Sequence, residues 1–153
     1  MRAYRIADQR FPILDGAGAQ LAGGRWNSPG MPVVYAAETF AGAVLEVLVH
    51  MGRLKMPKNR IYVELTIPEA LVSTVSVEET PVWAVADPIV SRGFGDQWLR
   101  TGDSPVLLVP SLVTQGVEKN LLINPRHPAF PEIKASASKK VEWDPRLFAS
   151  SLG

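Results

Sequence analysis

The chain has 153 residues, 16 Lys and Arg against 15 Asp and Glu, and no cysteine. A chain of this length forms one domain that buries about 68–70% of the surface its unfolded form exposes, and the missing cysteine excludes disulfides, thiolate metal sites and a Cys nucleophile. The balanced charge lacks the basic excess of a nucleic-acid-binding domain, and no apolar run approaches the ~20 residues that span a bilayer.

The opening "MRAYRIADQR" has no apolar core of the signal-peptide kind, so a cytoplasmic location is expected. Within it, "AYRI" reads as the first strand, and "PVVYAA" around Tyr35 as the second. A helix follows from about Thr39 to Met51, with Thr39 as N-cap and Gly52 just past its end. "RIYVELTI" from Arg60 is a third strand, and a short second helix over "GDQWLR" is expected to begin near Gly95 or Asp96. "SPVLLVPS" from Ser104 and "NLLINP" from Asn120 complete the strands. No regular helix of 10–15 residues separates successive strands, which argues against a doubly wound parallel sheet. The fold class expected is α+β: a compact single domain over residues 1–153, with mixed or antiparallel strands and packed helices.

The first helix carries a carboxylate, Glu46, inside the apolar run "AVLEVLV". On a 3.6-residue period Gly42, Glu46, Val49 or His50, and Arg53 share one face, so the small Gly42 would leave room for a ligand over Glu46. Alternatively, Glu46 and His50 form a solvated pair. Apolar residues on the other three sides imply that the helix is largely buried, and a buried lone carboxylate needs a reason. A zinc site would suit the Glu46–His50 spacing, but there is no H-E-x-x-H sequence, and His127 in "NPRHP" reads as a loop residue; the site is expected to hold no metal.

Arg25 in "GGRWN" follows two glycines, where a planar cation with a fixed fork of donors suits a pyrophosphate. Arg5, a cation within the strand "AYRI", calls for an anionic partner. Tyr35 in "VVYAA" is either core or a ring that stacks on a heterocycle while its hydroxyl makes a hydrogen bond. Ser111 ends "VLLVPS" at the rim of the sheet, outside any G-x-S-x-G setting, and suits hydrogen bonding better than nucleophilic attack. Neither G-x-G-x-x-G nor a Walker A sequence is present.

Together, "GGRWNSPGMPVVYAAETFAGAVLEVLVH", "GDQWL", "VLLVPS" and "NLLINPRHP" resemble the RES domain, the toxin half of RES–Xre toxin–antitoxin modules, over nearly the whole chain. The resemblance implies a fold similar to ADP-ribosyltransferase toxins and consumption of NAD+ as substrate by hydrolysis or phosphorolysis. It also implies, as an alternative, transfer of ADP-ribose to a specific protein such as phosphoribosyl pyrophosphate synthetase. The family's arginines fall on Arg5 and Arg25, its tyrosine on Tyr35, its glutamate on Glu46 and its serine on Ser111, and Asn124 in "INP" matches a further recurring position. On this basis Glu46 stabilises the oxocarbenium-like state at the ribose, Arg5 and Arg25 hold the pyrophosphate, Tyr35 packs against the nicotinamide or its ribose, and Ser111 hydrogen-bonds the dinucleotide. The implied partner is an Xre-type helix-turn-helix antitoxin that covers the cleft. A non-catalytic binding module, with Glu46 merely buried and paired, is the reading of another class.

Overall fold

A computed structural model describes residues 1–52, 55–75 and 86–148. In chain order its elements are β1 (Arg2–Asp8), α1 (Ala17–Ala22), β2 (Val34–Ala37), α2 (Phe40–Met51), β3 (Arg60–Thr66), β4 (Val72–Thr74), α3 (Pro88–Thr101), β5 (Val106–Pro110), β6 (Lys119–Ile123), β7 (Lys134–Ala135) and β8 (Lys139–Lys140). Among the described residues one sheet runs β4-β5-β6-β2-β1-β3-β7, with β8 also paired to β3. Among the described strands only β4 and β5 pair in parallel. The α+β class with a mixed sheet is as expected, and the five strands read from the sequence form its body. No helix among the described residues is long and apolar enough to cross a membrane.

Residues alternate across a strand, so β2, β5 and β6 feed two cores at once. Val34, Ala36, Val106, Leu121 and Ile123 point to one core, which they share with Ala3, Val63 and Leu65 of β1 and β3. Leu107, Val109 and Leu122 point the other way, against Trp26 and Trp98. The continuous apolar runs "VLLV" and "NLLI" follow from this, since both faces of these strands are covered.

Strands β1 and β3 share seven register pairs, and β2 and β6 share four, but β1 and β2 meet at one pair, Tyr4 opposite Ala37. The sheet therefore opens between β1 and β2, and α2 spans the opening. Thr39 accepts a hydrogen bond from the Gly42 amide at 2.9 Å and so caps α2, as its position in the sequence indicates. Phe40, in the first turn, packs its ring on Tyr4 of β1 and Tyr62 of β3.

Two expectations for α2 are corrected. Gly42 does not make space for a ligand: a Cβ there would lie 2.9 Å from Glu118 Oε2 and 3.1 Å from Thr39 Oγ1, so the glycine admits the Glu118 carboxylate. Nor is the helix apolar-buried on three sides. Gly42, Ala43 and Leu48 are buried, but Leu45 is 39% exposed and Val49 61%. Arg53, placed on the same face from the periodicity, lies outside the described residues.

Helix α3 begins at Pro88, well before Gly95. Asp87 caps it by accepting from the Ile89 amide at 2.9 Å, and Pro88 occupies a first-turn position where its missing amide costs nothing. Gly93 and Gly95 weaken the helical signal by about 1 kcal/mol each, which hides this start from a propensity reading. Gly95 is nonetheless required, because a Cβ at that position would stand 1.6 Å from the Trp26 carbonyl oxygen. Helix α1 escapes sequence reading because "AGAQLA" is too short and too poor in large apolar residues to show a period.

Replacing Gly95 by Ala is expected to force α3 away from the Trp26 loop and to cost about 3 kcal/mol, the upper part of the usual range for overpacking. Urea unfolding of the two proteins measures this.

Candidate active site

The cleft lies where β1 and β2 part. Its inner portion, about 160 Å³, is lined by Arg5 of β1, Tyr35 of β2, Glu46 and His50 of α2, and Asn120 of β6, among others. A wider outer portion of about 380 Å³ shares those five residues and adds the "GGRW" loop with Arg25. The outer volume alone falls within the roughly 300–1,000 Å³ of small-molecule sites. Ala43, Glu46, Val47 and His50 of α2 face the inner portion, a stripe at helical spacing.

Arg5 is held by the opening itself. Continued antiparallel pairing from Tyr4–Ala37 would set Ile6 opposite Tyr35, but the Tyr35 carbonyl instead accepts from the Arg5 guanidinium at 2.8 Å, and Arg5 Nε donates to the Ile13 carbonyl. The side chain thus stands in for ladder hydrogen bonds that the parted strands cannot make. Carbonyl oxygens replace the anionic partner expected from the sequence: among the described residues no carboxylate pairs with Arg5 within 4.0 Å. Burial lowers its pKa to about 10, opposed by the Asp15 charge, so the guanidinium stays cationic at neutral pH.

Glu46 is half-buried and oriented by two donors on one oxygen. Asn120 Nδ2 donates to Oε1 at 2.8 Å and Ser111 Oγ at 3.2 Å. Oε2 takes no hydrogen bond among the described residues. No buried side-chain oxygen there lacks a partner, so Oε2 is open to solvent. The carboxylate consequently has a fixed oxygen and an available one. Although His50 lines the cleft one turn further along α2, it makes no hydrogen bond to Glu46, so the solvated pair does not form. His127 is a loop residue, as read: it sits after β6, with Nε2 3.1 Å from the Gly102 carbonyl oxygen. Among the described residues no three His, Asp or Glu side chains gather as a metal-ion site.

Ser111 lies behind Glu46 rather than in the cleft: it is 2% exposed and lines neither portion. Asn124 is also not brought in. It follows the far end of β6, where its Oδ1 accepts from the Arg126 amide at 3.0 Å. The asparagine of that strand that does reach the carboxylate is Asn120, which the sequence reading missed. Its signal was available: a polar residue two positions before Leu122 takes the same face of β6.

The Tyr35 hydroxyl donates to Asn27 Oδ1 at 2.6 Å and accepts from the Trp26 amide at 3.2 Å, while its ring lines the cleft. Asn27, also unread in the sequence, is fully buried, with Nδ2 within 3.2 Å of the Ala19, Ser28 and Met31 carbonyl oxygens. Tyr35 and Asn27 therefore hold the loop that carries Arg25. Helix α3 holds it from the other side: Ser91 Oγ donates to the Arg25 carbonyl at 2.6 Å, Arg92 Nε to the Gly24 carbonyl at 2.9 Å, and Asp96 accepts from the Ser28 amide and hydroxyl. The Arg25 side chain is exposed at the cleft mouth, with one nitrogen 3.2 Å from the Ala86 carbonyl oxygen.

The fold, a mixed sheet that opens beside a capped helix, is shared with a chain of known structure. It superposes with a TM-score of 0.74 on a chain of the M. tuberculosis MbcT–MbcA toxin–antitoxin complex, covering 92% of this chain and 83% of that one at 19% identity. The RES domain model matches residues 2–144, and the chain belongs to the RES domain family. It is 42% identical over 151 residues to the "Prs ADP-ribosylating toxin" of Sphingobium sp. (strain YBL2), covering 95% of this chain and 90% of that protein. It is 34% identical to the "Toxin Res" of Pseudomonas putida, covering 97% and 100%, and 32% identical to that of Yersinia enterocolitica, covering 96% and 99%.

Burial pushes the Tyr35 hydroxyl up to about 12. A raised folded-state pKa means that the native state holds this proton more tightly than the unfolded chain, so the associated stability is complete below pH ~10 and is lost as pH rises through about 12. Tyr35→Phe leaves Asn27 Oδ1 and the Trp26 amide without their partner, at a cost of about 1–3 kcal/mol near neutral pH. Urea unfolding should show that difference constant up to pH ~10 and shrinking above it.

Proposed function

We propose that this protein is the toxin of a RES–Xre toxin–antitoxin module, and that it cleaves the nicotinamide–ribose bond of NAD+. The observation that carries the reading is the Glu46 carboxylate, anchored through Oε1 and open through Oε2 at a cleft that also holds Arg5, Arg25 and Tyr35. Breaking the C1′–N bond sends its electron pair to the pyridinium nitrogen. Nicotinamide then leaves neutral, without a proton donor, and positive charge develops on the ribose. A carboxylate already desolvated on one side and immobilised stabilises that charge with little reorganisation. In this reading Glu46 is the catalytic residue, and Asn120 and Ser111 orient it.

Arg25 on its clamped loop supplies a planar cation at the mouth for the pyrophosphate, and Arg5 adds positive charge at the inner wall. Tyr35 packs its ring against the nicotinamide half while its hydroxyl stays bound to the loop. Asn124, at the far end of β6, is left outside this assignment.

The ADP-ribosyl group passes to water or phosphate in the leading reading. A protein acceptor is the second, favoured by the name of the 42%-identical Sphingobium relative, an ADP-ribosylating toxin that acts on Prs. In this reading an Xre-type antitoxin covers the cleft, where exposed Val49 of α2 offers it apolar surface to bury.

Labelled NAD+ incubated with the protein, with and without phosphate and with cell lysate, tests these readings. Free ADP-ribose or its phosphate supports the first acceptor, and a labelled protein band the second. Glu46→Gln is expected to lower either reaction by about 100- to 1,000-fold with the fold intact. Unchanged toxicity of that variant would favour a non-catalytic binding module.

A further inference from the structure

The run Glu118-Lys119-Asn120 touches α2 and the two residues that lead into it at three points. Asn120 holds Glu46 directly. The Lys119 amide donates to the Glu38 carboxylate at 2.8 Å, and the Glu38 amide returns a bond to the Lys119 carbonyl at 3.2 Å, fixing the residue before the cap of α2. Glu118 reaches the cap itself: its Oε2 accepts from the Thr39 hydroxyl at 2.9 Å, and Thr39 Oγ1 in turn accepts from the Gly42 amide.

Glu118 has a second connection. Its backbone carbonyl accepts from the Ser111 amide at 3.1 Å, so one residue ties together the helix N-terminus and the serine that donates to Glu46. Gly42 adjoins this contact: a Cβ there would lie 2.9 Å from the carboxylate oxygen. A negative charge at this end of the helix is also favourable to the exposed amides of its first turn. Glu46 lies one turn beyond Gly42, so rotation or sliding of α2 at its cap moves the carboxylate relative to Asn120 and Ser111.

We propose that Glu118 is a positioning residue for the Glu46 carboxylate, acting through the Thr39 hydroxyl on the register of α2. The proposal rests on the NAD+-cleaving reading, but its geometry can be checked apart from turnover. Glu118 touches no part of the cleft and is not a catalytic residue.

The test compares full-length wild type, Glu118→Ala and Glu118→Gln in steady-state NAD+ cleavage, with thermal unfolding of each. Glutamine keeps an oxygen that can accept from Thr39, whereas alanine leaves none. The expected result is a kcat between about 10- and 100-fold lower for Glu118→Ala, in line with displacement of a catalytic group by a fraction of an ångström to an ångström. KM should stay within about three-fold, because the arginines and Tyr35 are untouched. Glu118→Gln should recover most of kcat.

A Glu118→Ala protein that unfolds at lower temperature but keeps wild-type kcat when folded overturns the proposal. So does a Gln variant as slow as the Ala variant. If the wild type cleaves no NAD+, the functional reading falls, and crystal structures then decide the positioning. Separation of Glu46 Oε1 from Asn120 Nδ2 beyond hydrogen-bonding distance in Glu118→Ala supports it, and retention of the 2.8 Å contact overturns it.

Discussion

Strands β1 and β2 touch at a single pair, Tyr4 opposite Ala37, and the cleft, its cation and the placement of its helix follow from that separation. A sheet that opens in its middle leaves main-chain groups without partners, and unpaired buried groups are costly. Arg5 answers part of that demand by donating to the Tyr35 and Ile13 carbonyls. A half-buried cation that would weaken an ordinary strand is here what makes the opening tolerable, while keeping positive charge at the inner wall.

The second requirement is that a carboxylate on a half-exposed helix be held still. Helix α2 is fixed at two heights against the β5–β6 hairpin: through Thr39 and Glu118 at the cap, and through Glu46 with Asn120 and Ser111 two turns on. Both donors to Glu46 use Oε1, which spares the other oxygen. The "GGRWN" loop is immobilised in a comparable way, between the Tyr35–Asn27 pair on the sheet side and Ser91, Arg92 and Asp96 of α3. Two glycines admit contacts between these elements, Gly42 to the Glu118 carboxylate and Gly95 to the Trp26 carbonyl. At Gly95 any side chain would meet the Trp26 main chain and push α3 away from the loop that carries Arg25.

Much was legible in the chain because it follows local rules. The β-branched runs after turn residues located five strands, and Thr39 and Gly52 bounded α2 correctly. Helix α3 was cut short because its glycines read as breaks, when Gly95 serves a contact with a residue 69 positions earlier that no local window contains. The partner of Arg5 was expected to be an anion because a strand's missing ladder bonds cannot be inferred from its own residues. Ser111 and Glu46 were both singled out, but their direct bond, across 65 residues, was not.

Composition, spacing and resemblance were sufficient for the α+β class, the family, and several residues that line the cleft, since periodicity and motif are properties of neighbours along the chain. Which oxygen of Glu46 is free, why Asn120 rather than Asn124 stands beside it, and that Ser111 sits behind the acid are matters of strand register and helix rotation. A shift of one residue in β6 would turn Asn120 to the opposite face, and only the packed sheet excludes it.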